Sequence, residues 1–119
     1  MDKAKLGKFG EDVASERLCE MGYKIIERNY SCRGGEIDII AENAEYIVFA
    51  EVKLRKDAFF AEAREFVTPA KQHRIRQTAE LWLSTHENEK QPRFDVIEVY
   101  APNGKSGAIT VNHIEDAFM

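Results

Sequence analysis

Residues 35–41, GEIDIIA, and residues 46–55, YIVFAEVKLR, decide how this chain is read. Both are short and rich in β-branched and apolar side chains, and the polar turn Glu42-Asn43-Ala44-Glu45 separates them. That is the pattern of two adjacent strands. The run Ile47-Val48-Phe49-Ala50 is apolar at every position, so its strand is expected in the middle of a sheet, covered on both faces. Alternate side chains on a strand share a face. The rule places Ile37 and Ile39 on one face with Glu36 and Asp38 on the other, and sets Ala50 and Val52 against Glu51 and Lys53. A charge on a covered strand is costly unless it is paired or bound to a cation. Three carboxylates and one ammonium, carried by two strands with a short turn between them, are therefore expected to converge at one end of the sheet. Such oxygen donors suit a divalent cation whose coordination is completed by water and a phosphate. The plain structural alternative is an ion pair at a sheet edge, Glu51 or Asp38 with Lys53.

Outward from these strands, YKIIERNY (23–30) reads as a third strand, joined to GEIDIIA by a turn at Ser31–Gly35. The paired glycines there are expected to supply positive φ angles. Before it, Leu6, Phe9, Val13, Ala14, Leu18 and Met21 recur with helical spacing over Lys5–Met21, and Gly22 follows as a C-terminal stop. Downstream, Thr68-Pro69 predicts a helix start with Thr as cap. The helix should run to about His86, burying Ile75, Ala79, Trp82 and Leu83. RFDVIEVYA (93–101) and AITVNHI (108–114) complete the set as strands. The order is α-β-β-β-α-β-β, an α/β chain with a mixed central sheet flanked by helices.

At 119 residues the chain is expected to form one domain with one core. Its 44% hydrophobic and 32% charged residues exclude a disordered chain. No apolar run approaches the roughly 18 residues of a membrane span, and the N-terminal segment lacks the apolar stretch of a signal peptide. Cys19 and Cys32 form no metal-ligand pattern and are expected free, as in a cytoplasmic protein. The net charge of −4 argues against binding nucleic acid by bulk attraction. The charge is uneven, however. Residues 1–52 carry seven basic and eleven acidic side chains and residues 77–119 carry three and seven, whereas residues 53–76 carry seven basic and three acidic. This basic band starts at Lys53. Lys71 and Gln72 fall on the Ile75 side of the second helix at its N-terminal end, where the dipole and free N–H groups favour phosphate. Arg55, Lys71, Gln72, Arg74 and Arg76 are accordingly the expected nucleic-acid contacts; ordinary solvated side chains are the alternative for Arg74 and Arg76. Phe59-Phe60 would stack on a base or, as the better expectation, pack beneath a loop. Trp82 is expected in the core, and His73, His86 and His113 show no ligand spacing.

Asp38 followed by Glu51-Val52-Lys53 resembles the D-(x)n-E-x-K signature of the PD-(D/E)XK nuclease superfamily. The blocks GKFGEDVA (7–14), GGEIDIIA (34–41), VFAEVKLR (48–55) and RFDVI (93–97) together resemble the bacterial YraN-like family, similar in fold to Holliday-junction resolvases. Ile37 stands where the superfamily's proline usually precedes the first acid. The resemblance implies a restriction-endonuclease-like core and an endonuclease that hydrolyses DNA phosphodiester bonds with Mg²⁺ or Mn²⁺, branched or structured DNA being one substrate class. A non-cleaving nucleic-acid-binding module of the same fold is the alternative. By the same resemblance Asp38 and Glu51 hold the metal with the Val52 carbonyl, Lys53 is catalytic, Glu11 is the first-helix acid, and a homodimer would address two strands. Glu11 also lies at the border of the first helix's apolar stripe, where Gly7 and Gly10 would let another backbone approach. Glu36 is read either as a carboxylate behind the metal ligands or as the partner of an arginine.

Overall fold

The helix–strand order read from the sequence is the order in the structure, a computed structural model that describes residues 3–55, 67–103 and 107–119. Helix α1 (Lys3–Glu20) precedes β1 (Lys24–Cys32), β2 (Gly35–Glu42) and β3 (Tyr46–Arg55), and α2 (Pro69–Thr85) leads into β4 (Gln91–Tyr100) and β5 (Thr110–Phe118). Phe59-Phe60, Lys56 and Arg64 lie outside the described residues. The five strands form one sheet in sequence order, β1-β2-β3-β4-β5. Only β3 and β4 are parallel, and α2 lies in the crossover that a parallel pair requires. The sheet is therefore mixed, with β3 at its centre.

The apolar run of β3 divides its side chains between two cores. Val48 and Ala50 pack with Ala14 and Leu18 of α1, while Ile47 and Phe49 pack with Ile75, Ala79 and Trp82 of α2. The two helices thus cover opposite faces, as the run predicted. Trp82 is buried edge-on against Phe49, ring centroids 5.9 Å apart, and its indole N–H donates to Glu27 at 3.2 Å. At the start of α2 the Thr68 hydroxyl accepts from the Lys71 N–H at 3.2 Å, and Pro69 follows it. Thr78 is buried where Leu83 was expected; Leu83 is only partly covered. Helix α1 stops at Glu20 because Gly22 takes φ +92° and the Tyr23 N–H turns back to the Leu18 carbonyl. Met21, beyond the last turn, is exposed rather than part of the apolar stripe.

Two further expectations are corrected. Neither Gly34 nor Gly35 has a positive φ. Strand β1 instead runs on to Cys32, and Gly35 is glycine for lack of room: a Cβ there would lie 2.7 Å from the Thr78 hydroxyl and 3.3 Å from the Arg74 carbonyl. Helix α2 crosses β2 at this point. Simple alternation also fails in β2, where Ile37 joins the α2-side core with Ile40 while Ile39 joins the α1-side core. Asn29, across from Asp38 between the Arg28–Ile39 and Tyr30–Ile37 pairs, has φ +55°. The β2–β3 ladder ends at Ile39–Ala50, so the strands part just where Asp38 and Glu51 begin.

Candidate active site

The parting of β2 from β3 opens a cleft of about 240 Å³. Gly35, Glu36 and Asp38 line it from β2, Glu51 from β3, and Lys71, Arg74 and Ile75 from α2. Asp38 is held by the backbone across the gap: its carboxylate accepts the Val52 N–H at 2.8 Å, replacing a ladder bond that a regular strand pair would have made. Glu51 is buried on the same side, and its Oε1 carries two ammonium groups. Lys53 reaches it from two residues along β3, at 3.4 Å, and Lys71 forms a closer ion pair with it from the first turn of α2.

The electrostatics show what this geometry costs. Burial pushes the Asp38 carboxyl up from an ordinary 3.8 to about 7, and the neighbouring charges of Glu51, Glu11 and Glu36 act in the same direction. The Val52 N–H offsets only part of this. Burial also lowers Lys53, helped by the adjacent Lys71 ammonium. Burial acts to lower Lys71 too, but the bond to Glu51 holds it above the ordinary lysine range.

The expected residues therefore separate into groups. Asp38, Glu51, Lys53 and Lys71 converge, with Arg74 exposed on the same cleft. Glu36 lines the cleft but is exposed. Glu11 is near enough for its charge to act on Asp38, yet its carboxylate accepts from Arg28 at 3.4 Å. Its glycines do not act as expected: a Cβ on Gly7 meets nothing, and one on Gly10 would make ordinary contact with Leu54 and Val52. Arg55 faces buried Glu98 at 3.8 Å. The Gln72 amide donates to the Val67 carbonyl at 2.9 Å, and Arg76 donates to the carbonyl of Met119. Three convergent carboxylates were expected; among the described residues no three His, Cys, Asp or Glu side chains gather around one point. Two carboxylates remain, one of them held in a proton-favouring environment by burial first and by the charge of the other second. Such a pair fits Mg²⁺, which commonly takes one or two protein carboxylates and leaves its other positions to water and substrate phosphate.

A second polar cluster escaped the sequence reading. Asp95 is wholly buried and accepts from both Arg93 Nε and Nη2, at 2.9 and 2.8 Å, while His113 Nε2 lies 2.7 Å away and the Asp116 N–H 3.0 Å away. Arg93 also donates to the Tyr23 hydroxyl at 2.6 Å and lies over the Tyr46 ring. This network ties α1's end to β4 and β5. The available signal was the opposite-charge i, i+2 pair Arg93/Asp95 inside an otherwise apolar strand.

Both cysteines are free, and among the described residues no helix is long and apolar enough to cross a membrane. Residues 10–99 match the family model "Uncharacterised protein family UPF0102". A UPF0102 protein of Frankia casuarinae is 42% identical over 117 residues, covering 98% of each chain. One from Caldicellulosiruptor saccharolyticus is 41% identical over 119 residues, covering 99% of this chain and all of its own. One from Caldanaerobacter subterraneus subsp. tengcongensis is 42% identical over 119 residues, covering 99% and 98%. Near-complete coverage in both directions, together with the family match across α1 to β4, leaves one assignment: the chain belongs to the UPF0102 family, as its YraN-like blocks suggested.

Proposed function

We propose that this chain is a divalent-metal-dependent endonuclease of the PD-(D/E)XK type, with a restriction-endonuclease-like core, acting on DNA, with branched or structured DNA as one substrate class. The observation that carries the proposal is the Asp38–Glu51 pair: two carboxylates brought together where β2 and β3 part, one of them pushed up to about 7. Strongly perturbed carboxylates cluster at functional sites, and one or two carboxylates are what a protein commonly offers Mg²⁺. Asp38 and Glu51 would hold Mg²⁺ or Mn²⁺, with the Val52 carbonyl beside them. The metal would supply Lewis acidity toward a phosphoryl oxygen and a more acidic water. Lys53, on the Glu51 face of β3, orients the attacking water and stabilises charge developing on the phosphate oxygens. Lys71 and Arg74, at the N-terminal part of α2, hold the flanking backbone phosphates. A homodimer would present two such sites to two strands.

A second reading, a nucleic-acid-binding module that does not cut, is favoured by one observation, the Lys71 ammonium already seated on Glu51. The two separate on a panel of linear, flapped and four-way DNA substrates incubated with Mg²⁺ or Mn²⁺. Metal-dependent cutting lost on chelation supports the enzyme. Binding without cutting across the whole panel supports the module and removes the enzyme.

A further inference from the structure

Lys71 is placed to do more than touch a phosphate. Its ammonium and that of Lys53 meet on one oxygen of the buried Glu51 carboxylate, so a divalent cation entering beside Asp38 meets two positive charges and competes for a ligand already held. The two lysines differ in freedom. Lys53 springs from a central strand and its side chain is 22% exposed; Lys71 springs from the first turn of α2, and its side chain is 34% exposed at the cleft mouth. Arg74, one turn further along α2, is exposed on the same cleft, so a DNA backbone crossing it finds a second cation within reach of the adjacent phosphate.

We propose that Lys71 couples metal binding to substrate: in the free protein it holds Glu51 closed to a cation, and a DNA phosphate draws it away and so admits the metal. This rests on the nuclease-site reading above and adds an order to it, nucleic acid first or together with metal. The coupling is reciprocal, so metal also tightens DNA binding through the same lysine. Removing the Lys71 charge must then act oppositely on the two ligands. A residue with only a structural role would not do that.

The test uses the full chain and two separate readouts. Mn²⁺ is titrated into wild type, Lys71→Met, Lys71→Gln and Lys71→Arg without nucleic acid, with free Mn²⁺ followed by electron paramagnetic resonance. Asp38→Asn marks which binding belongs to the site. Binding of a four-way DNA junction is measured separately in chelator. Lys71→Met and Lys71→Gln should bind Mn²⁺ at least about tenfold more tightly than wild type, a modest effect for one unit charge a few ångströms from a cation, and should bind DNA more weakly. Lys71→Arg, which keeps the charge, should resemble wild type in both. Asp38-dependent Mn²⁺ binding of equal strength in wild type and both neutral variants would overturn the coupling and leave the metal site standing. Absence of Mn²⁺ binding beyond that of Asp38→Asn from wild type and every Lys71 variant would remove the metal site and the coupling together.

Discussion

Replacing Asp38 with Asn should make the protein more stable at alkaline pH. The carboxyl is raised from 3.8 to about 7 by burial first and by like charges second. A folded-state value above the unfolded one means that the stabilising contribution is complete below pH 3.8 and is lost as the pH rises through about 7. At pH 8.5 the folded protein therefore carries a charge that its surroundings oppose. A shift of about three units at about 1.4 kcal/mol each sets a ceiling of about 4 kcal/mol on the gain from removing that charge. The Asn side-chain oxygen still accepts the Val52 N–H, though less strongly than a carboxylate does, and the cleft is open to solvent on one side. The expected gain is accordingly about 2 kcal/mol. Urea unfolding followed by fluorescence of the single tryptophan, in chelator at pH 5 and pH 8.5, measures it. The advantage of Asp38→Asn should be clear at pH 8.5 and should shrink at pH 5. A variant less stable than wild type at pH 8.5 would refute this. It would mean that the carboxylate serves as an ordinary acceptor for the backbone and that no electrostatic cost is stored there.

Other expectations follow from the packing and the charge. Gly35→Ala forces a Cβ against the Thr78 hydroxyl and the Arg74 carbonyl, so it should lower stability by about 1–3 kcal/mol in the same unfolding assay; an unchanged midpoint would mean that α2 lies further from β2. Against the upward push of burial, hydrogen bonds from His113 and Arg93 hold Asp95 below the usual carboxylate range. Its contribution is therefore present above pH 3.8 and lost as the pH falls further. Arg93→Met should cost about 3–5 kcal/mol at pH 7 and flatten the wild type's acid loss, and acid unfolding curves that superpose would contradict it. Neutralising Lys71 and Arg74 should flatten the salt dependence of DNA binding by about two phosphates' worth. Arg76→Ala should leave the slope unchanged, because that guanidinium is engaged by the Met119 carbonyl.

The bounds of β3 were legible to the residue because an unbroken apolar run flanked by turn residues has few other places to go. The cap at Thr68-Pro69 was legible for a similar reason, since capping is a local interaction within four residues. The meeting of Asp38, Glu51 and Lys53 was expected from alternation, although alternation gives the wrong face for one neighbour. Ile37 and Ile39 separate at Asp38, opposite which Asn29, on a different strand, takes a left-handed conformation that no pattern within β2 reveals. The double glycine misled in the same way. It reads as a turn of positive φ, whereas the demand comes from a helix more than thirty positions downstream pressing on Gly35. Lys71 was read as a phosphate contact, and its pairing with Glu51 was not legible, because that depends on where the crossover returns α2 over the sheet. The gathering of Arg93, Asp95, His113 and Tyr23 is likewise a product of tertiary pairing, with only the Arg93/Asp95 spacing to hint at it.

The central claim is that Asp38, Glu51 and Lys53 form a site that cuts DNA, and single-turnover cleavage tests it most directly. End-labelled four-way DNA is incubated with Mg²⁺ and wild type, Lys53→Ala or Asp38→Asn purified in parallel. Wild type should cut. Lys53→Ala should bind the junction with near-normal affinity yet cut about 10²–10⁴-fold more slowly, and Asp38→Asn should bind without cutting. Cleavage of equal rate by wild type and Lys53→Ala, or none by wild type on a junction that it binds, would contradict the account.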